Sequence, residues 1–464
     1  MGFELEPSYT LLLFFCLLCA CGFEFVNGFH DTANAVATVI YTNSLPPLVA
    51  VVLSGLLNFI GVFLGGITVA MGIVNLLPVE SLIDQNLNHS LAMVFALLLS
   101  AIAWNLGTWW LGLPSSSSHT LIGSIIGVGL AFSLLPGEHQ AAVNWSKAGE
   151  IGMSLLISPL FGFASTIALM LVLRRLNPGP KLFSEPPKRK APPAWIRSIL
   201  VLTCSGVSLS HGANDGQKGV GLIMLILIGI VPAQFALDAG RNPAELKAHL
   251  TQTEQVLARF DTGRLSGPER DAYRLARTNL ADLQQVPTDV AAFSKQDAFR
   301  IRKDILLVTR ETDRILKGGN LTLAQADQAT LKAGMAGMRR YTDYAPRWVI
   351  IIISLSLGLG TMVGWKRIVR TIGEKIGKQH LTYAQGMSSE LVAASTIGLS
   401  TYLGLPVSTT HVLSSGIAGS MVASKGMNNL QPATIRNIAL AWVLTLPVTM
   451  TMSGTIYLLL RSIL

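Results

Sequence analysis

Two short runs of hydroxyl side chains follow the same Leu-Gly-Leu-Pro sequence, Leu111-Gly-Leu-Pro-Ser-Ser-Ser-Ser-His119 and Leu403-Gly-Leu-Pro-Val-Ser-Thr-Thr-His411. They set Ser116, Ser117 and Ser118 in register with Ser408, Thr409 and Thr410. A proline at this point stops one helix and leaves the next to begin with free N–H groups. Each run then offers hydroxyls, unpaired amides and a positive helix end, donors that suit a tetrahedral oxyanion. A single serine in an apolar helix is commonly spent on a neighbouring carbonyl. Two matched clusters argue for a ligand instead.

A second pair of motifs precedes these in the same order. Asn27-Gly-Phe-His-Asp-Thr-Ala-Asn-Ala35 aligns with His211-Gly-Ala-Asn-Asp-Gly-Gln-Lys-Gly219, which sets Asp31 against Asp215 and Asn34 against Lys218. Carboxylates inside apolar sequence require a partner or a bound cation. Asp31 with the Asn34 amide offers the hard oxygen ligands that a small cation prefers. Asp31 and Asp215 are therefore the candidate metal ligands, with structural ion pairing as the competing reading. Glu390, in Gln385-Gly-Met-Ser-Ser-Glu-Leu-Val, is a candidate proton carrier if burial raises its pKa, or else a helix-end group facing water. His30, His119, His211 and His411 stand at or beside the motifs. Each alone is more often a hydrogen-bonded helix histidine than a proton relay. Glu24 receives no assignment from the sequence.

The spacing supports an internal repeat. Asp31 to Pro114 is 83 residues and Asp215 to Pro406 is 191, and the excess of 108 equals the polar stretch Asp238–Ala345. With that stretch removed, the halves coincide. The surrounding sequence is 50% hydrophobic and 13% charged with a mean hydropathy of +0.49, which is a membrane composition rather than a soluble one. The net charge of +9 sits in basic residues at the ends of apolar runs, where they act as orientation signals, and no nucleic-acid-binding stripe is present. Cys16, Cys19, Cys21 and Cys204 all lie in apolar stretches and read as packing residues.

The predicted fold is an all-α polytopic membrane protein with two inverted-topology repeats, broken or re-entrant helices, and a helical extracytoplasmic insert. Residues 1–173 form the first repeat, 174–197 a cytoplasmic linker, 198–237 and 346–464 the second repeat, and 238–345 the insert. The acidic start, Met1-Gly-Phe-Glu-Leu-Glu6, predicts an extracytoplasmic N-terminus and a retained first helix. Arg174, Arg175, Lys181, Lys188, Arg189, Lys190 and Arg197 mark the linker as cytoplasmic. A second basic loop holds Lys366, Arg367, Arg370, Lys375 and Lys378. Ile196 to Phe235 is predicted to cross once as a broken span. In the insert, Pro243 and Pro268 suit first-turn positions, Thr322 a cap, and Leu246 and Leu250 recur at helical spacing. A gating cap and a tolerated loop insertion are both compatible with it.

At these residues the sequence resembles the inorganic phosphate transporter (PiT) family, whose members pair a Gly-x-x-Asp/Asn-Asp-rich signature with a Pro-x-Ser-Thr/Ser-Thr/Ser-His signature. The resemblance covers both membrane halves and leaves out the insert. It implies phosphate uptake, with phosphate at Ser116, Ser117, Ser118, Ser408, Thr409 and Thr410, and cations near Asp31, Asn34 and Asp215. Glu390 matches an acidic position of the family. Asn58 stands where some relatives carry an acid, so no proton role transfers there. Sodium-coupled members repeat Asp-x-x-Asn in the second half, whereas this chain has Asp215-Gly-Gln217-Lys218. The expectation is that Lys218 replaces a sodium ion and that the chain resembles the bacterial proton-coupled, low-affinity branch. That branch takes phosphate with a divalent metal, with no permanently bound cofactor, in a bacterial inner membrane. A sodium-coupled symporter, a sulfate or other oxyanion permease, and a phosphate sensor or channel are the alternatives. An enzyme is not expected, because Gly212–Gly219 lacks the phosphate-loop spacing. A homo-oligomer is compatible with the sequence.

Overall fold

The computed structural model describes residues 6–77, 87–135, 143–176, 179–187, 190–238, 240–285, 295–319 and 323–463, and every regular element among them is helical. Thr322, the predicted cap, and Lys188 and Arg189 lie outside the described residues. In the first half, α1 (Pro7–Asp31) and α2 (Ala33–Tyr41) are separated only at Thr32, and α3 (Pro47–Leu64) is followed by the short α4 (Thr68–Val74). Then come α5 (Leu87–Trp110), α6 (Ser117–Ser133) and α7 (Trp145–Leu176). After a 3₁₀ turn at Pro180–Phe183, α8 (Ala194–Ile230) opens the second half.

The chain divides into two compact units, one of which is Leu227–Tyr344. That unit takes in the end of α8 and the short α9 (Pro232–Phe235), then α10 (Pro243–Leu257), α11 (Gly267–Gln284), α12 (Lys295–Gly318) and α13 (Gln325–Thr342). Ala236 and Leu237 join Leu250, Leu280, Ile305, Leu331 and Met338 in its core, so the unit begins before the polar stretch does. The buried Arg302 donates to the carbonyls of Ala236 at 3.1 Å and Thr342 at 2.6 Å, fastening the entry of the unit to its exit. Pro243 opens α10 beneath an Asn242 cap, and Pro268 is the second residue of α11 behind a Ser266–Glu269 capping box.

The other unit contains the remaining helices and resumes at Ala345. It continues with α14 (Arg347–Thr361), α15 (Lys366–Arg370), α16 (Tyr383–Tyr402), α17 (Thr409–Lys425) and α18 (Pro432–Ile463). Among the described residues, five spans are long and apolar enough to cross a membrane: α1 with α2, α3, α5, α7 and α18. Leu64, Leu156 and Leu160 are more than 60% exposed, which is the outward surface expected of helices in lipid. The chain is a multi-pass membrane protein.

Two expectations are corrected. The segment Ile196–Phe235 is not broken at its polar motif: α8 runs 37 residues without interruption through Asn214, Asp215, Gln217 and Lys218, and the chain breaks only at Val231, before α9. Its polar side chains are bonded sideways to other segments, so its own ladder stays intact. The basic stretch from Lys366 is not a loop but α15 followed by a π-helical turn, Thr371–Lys375.

The halves interlock rather than sit side by side. In the first half α6 packs against α18 of the second, and α17 packs against α7. The approach is backbone to backbone: a Cβ on Gly127 would overlap the Met450 carbonyl, and one on Gly419 would lie 2.5 Å from the Phe163 carbonyl. Similarly α1 packs on α14, where a Cβ on Gly28 would meet the Leu357 oxygen at 2.5 Å. In turn, α8 lies on α3, with Gly212 against the Asn58 carbonyl and Gly61 against that of Leu209. Small residues are what let helices approach this closely in lipid.

Candidate functional site

The matched Leu-Gly-Leu-Pro segments fold identically. Gly112 and Gly404 take φ of 67° and 70°, a left-handed conformation that glycine adopts without strain. Leu113 N–H reaches Thr108 O and Gly112 N–H reaches Trp109 O, both at 2.9 Å; Leu405 and Gly404 repeat this with Ser400 and Thr401. This pair of hydrogen bonds closes each helix C-terminus as a Schellman motif. After each proline the next helix restarts: Ser116 caps α6 by accepting from His119 N–H, and Ser408 caps α17 by accepting from His411 N–H. The breaks that the sequence predicts are located here and, in a minor form, at Thr32.

These restarts lie beside the acidic motifs. Asp31 accepts at Oδ1 from Thr410 Oγ1 at 2.5 Å and from the Asn34 amide at 3.3 Å, and at Oδ2 from Ser117 Oγ at 2.8 Å. Asp215 Oδ1 accepts from Lys218 Nζ at 2.6 Å, and the same ammonium donates to Ser118 Oγ at 2.5 Å and to the Val407 carbonyl at 2.9 Å. One arrangement thus recurs: an aspartate, the residue three places on, and the third hydroxyl of the cluster in the other half. Asn34 bridges Asp31 and Thr410, and Lys218 bridges Asp215 and Ser118. An ammonium supplies in one half the charge that a neutral amide cannot supply in the other.

His211 joins the two aspartates. Its Nε2 lies 3.8 Å from Asp31 Oδ2 and 3.5 Å from Asp215 Oδ2, and its Nδ1 lies 3.1 Å from Asn58 Oδ1. Ligand atoms of Asp31, His211 and Asp215 all lie within 4.8 Å of one another, a donor set of two hard oxygens and one imidazole nitrogen that fits a small cation. All these residues are buried. Four of their neighbouring polar atoms have no hydrogen-bond partner: Asp215 Oδ2, His211 Nε2, Asn34 Oδ1 and Thr409 Oγ1. Buried donors and acceptors left without partners are costly unless a ligand completes them. His119 and His411 stand behind the hydroxyls with rings 4.6 Å apart, and His411 stacks on Trp442 at 3.9 Å.

A model of the phosphate transporter family matches residues 27–453. The chain belongs to that family. Among its relatives, the low-affinity inorganic phosphate transporter PitA of Escherichia coli (strain K12) is 43% identical over 98% of this chain and 97% of its own length. PitB of the same strain, also named a low-affinity inorganic phosphate transporter, is 41% identical over 97% of each. A probable low-affinity inorganic phosphate transporter of Bacillus subtilis (strain 168) is 26% identical over 98% of each. A solved structure titled the sodium-dependent phosphate transporter superposes with a TM-score of 0.55 at 18% identity, covering 98% of this chain and all of the other, which shows a shared fold. The relatives are named as transporters, and this member of the phosphate transporter family is not an enzyme.

Within this family member, the structure gathers Asp31, Asn34, Asp215, Lys218, Ser117, Ser118, Thr409 and Thr410 around one region. Ser116 and Ser408 accept the cap bonds at the starts of α6 and α17. Glu390 stands apart and is not a helix-end group facing water: it is fully buried in α16, accepting from Thr203 Oγ1 at 2.5 Å and from Thr38 Oγ1. Sequence reasoning assigned no role to Gln217, whose amide donates to Gly65 O at 2.5 Å and accepts from Val69 N–H at 2.8 Å. It completes irregular backbone between α3 and α4. Asn58, to which the resemblance transferred no proton role, orients His211 and donates to Thr361 Oγ1 at 2.9 Å. Nothing local in the sequence points to either role, because both depend on a contact with the other half.

Proposed function

We propose that this chain imports inorganic phosphate across a bacterial inner membrane as a secondary carrier, coupled to protons, with phosphate carried as a neutral complex with a divalent metal. The observation that carries the reading is Lys218 Nζ, which is bonded to the Asp215 carboxylate and the Ser118 hydroxyl together. A fixed ammonium there takes the place of a coupling sodium ion at Asp215 Oδ1, in the position aligned with the Asn34 amide, and leaves Oδ2 to the cargo metal.

In this scheme Ser117, Ser118, Thr409 and Thr410, with the first-turn N–H groups of α6 and α17, surround the phosphate oxygens. Ser116 and Ser408 hold the helix starts in place. Asp31, His211 and Asp215 face the metal ion that travels as cargo, and the neutral complex lowers the cost of moving the anion's charge. Glu390, tied to α2 by Thr38 and to α8 by Thr203, is a proton-coupling residue that senses the relative position of those helices. Inverted repeats that exchange conformations around a fixed central site would give alternating access.

The test is uptake of labelled phosphate into proteoliposomes, comparing a proton gradient with a sodium gradient, with and without magnesium. Proton-driven uptake that magnesium enhances is expected, and Lys218→Asn should introduce sodium dependence. Sodium-driven uptake by the native protein would overturn the role of Lys218. The same Asp31–His211–Asp215 donor set favours a second reading, sodium symport, which that outcome would support.

A further inference from the structure

Glu24 is a fully buried carboxyl that none of the groups above uses. It lies on α1, seven residues before Asp31, with no solvent exposure. Its Oε1 accepts from the Asn27 amide at 3.0 Å, and its Oε2 has no hydrogen-bond partner. Oε2 faces α8 at the residue after Lys218: a Cβ on Gly219 would stand 2.6 Å from it and 3.1 Å from Ile353 of α14.

The charged and titratable groups acting on Glu24 are Asp215 and Lys218 from α8, and Asp31 and Cys21 from its own helix. On the other helices packed against α1, the titratable residues are Arg347 of α14 and His89 of α5, each in the first turn, and Tyr41, the last residue of α2. Two like charges and one ammonium therefore surround this carboxyl, and that ammonium is already bonded to Asp215. An ionised carboxylate accepts at both oxygens, and in a site closed to water it is costly without donors on both. Glu390 has them, from Thr203 and Thr38, whereas Glu24 has a donor on one oxygen only. A carboxylic acid suits the Glu24 site, because Oε1 can serve as the carbonyl oxygen toward Asn27 while Oε2 carries the proton.

We propose that Glu24 is a further proton-carrying residue of the transport cycle, holding a proton as the neutral acid in the arrangement seen here and releasing it when α1 and α8 move apart. The proposal rests on the proton-symport reading. Gly219 is the small residue that leaves room for a carboxyl beside Lys218, and the moving proton leaves a carboxylate that water or the ammonium can then stabilise.

Two measurements on the full-length protein test it. Infrared spectroscopy of the native protein at neutral pH should show the C=O band of a protonated carboxyl that Glu24→Gln removes. In proteoliposomes, Glu24→Gln should keep phosphate counterflow within about threefold while proton-driven accumulation falls about tenfold per unit of imposed pH gradient, the factor that one coupled proton supplies. Glu24→Asp should retain both a protonated-carboxyl band and accumulation, which keeps the test valid if the glutamine variant does not fold. The proposal is overturned if the band survives Glu24→Gln, if that variant accumulates phosphate like the native protein, or if counterflow is lost together with accumulation, the mark of a structural role. Native protein without proton-driven uptake would overturn the symport reading itself and the coupling role with it, whatever the band does.

Discussion

Thr410, in the first turn of α17, donates to Asp31, the last residue of α1, at 2.5 Å across 379 residues of chain. Its counterpart in the repeat is Ser118, which accepts from the ammonium that holds Asp215. Each acidic motif is thus completed by a hydroxyl from the opposite half, and the candidate site exists only when the halves interlock. The correspondence is incomplete in one place. Ser117 donates to Asp31 Oδ2, but the aligned pair, Thr409 Oγ1 and Asp215 Oδ2, are both without a hydrogen-bond partner.

That asymmetry separates a hydroxyl with no partner from one that a buried carboxylate already engages in this arrangement. Thr409→Val replaces an orphaned hydroxyl with a methyl group, so its thermal midpoint in detergent should stay at or above the native value. Its phosphate uptake should fall about tenfold or more, the effect of one lost hydrogen bond to a charged ligand. Ser117→Ala removes a donor from a buried carboxylate and should destabilise the protein by about 1–3 kcal/mol. A stability loss in Thr409→Val would show that its hydroxyl has a structural partner.

Lys218→Met should be severely destabilising, because it leaves Asp215 charged and enclosed; breaking a buried pair from one side costs about 3–5 kcal/mol. Adding Asp215→Asn should recover most of that stability without restoring uptake. Parallel thermal unfolding of the native, single and double variants measures this. Equal stability of the two variants would mean that the pair is not coupled.

Gly212→Ala tests the α3–α8 contact. Its Cβ would overlap the Asn58 carbonyl, so α8 must shift; the expected loss is about 1–3 kcal/mol, along with weaker uptake as Asn58 moves away from His211. Gly152, exposed in α7, is the control, because a Cβ added there would have nothing within 4 Å. Gly152→Ala should be neutral or stabilise by up to about 1 kcal/mol. Thermal midpoints in one detergent compare the two.

The four-helix unit should respond to pH through Asp304. Burial and the nearby Asp282 raise its carboxyl pKa from 3.8 to about 6, against the opposing pull of Arg300 and Lys303. A carboxyl raised in the folded state favours folding while it stays protonated, and that contribution is lost as pH rises through the folded value. Protection against hydrogen exchange in α11 and α12, corrected for the pH dependence of intrinsic amide exchange, should therefore be greater near pH 5 than near pH 8. Asp304→Asn should flatten this dependence and protect the unit at the higher pH. An unchanged slope in the variant would assign the pH response to another group.

The sequence by itself determined the class of the molecule and the residue types at its centre. Apolar runs of spanning length, two motif pairs in register and a length excess of 108 residues are local properties, readable because hydropathy, proline and glycine act within a few positions. The Leu-Gly-Leu-Pro breaks, the helical insert and the gathering of Asp31, Asp215 and the hydroxyl clusters all follow from them. What a linear chain does not reveal is which partner each group takes. Only the tertiary structure decided that Lys218 reaches Ser118, that His211 joins two aspartates from different halves, that α8 remains unbroken because Gln217 and Lys218 are satisfied sideways, and that Glu24 keeps one oxygen unpaired. The physical reason for the first three is one: a buried polar group must find its partner in space, and in an interlocked repeat that partner lies a hundred or more residues away; for Glu24 the packing of α8 decides instead that one oxygen finds none.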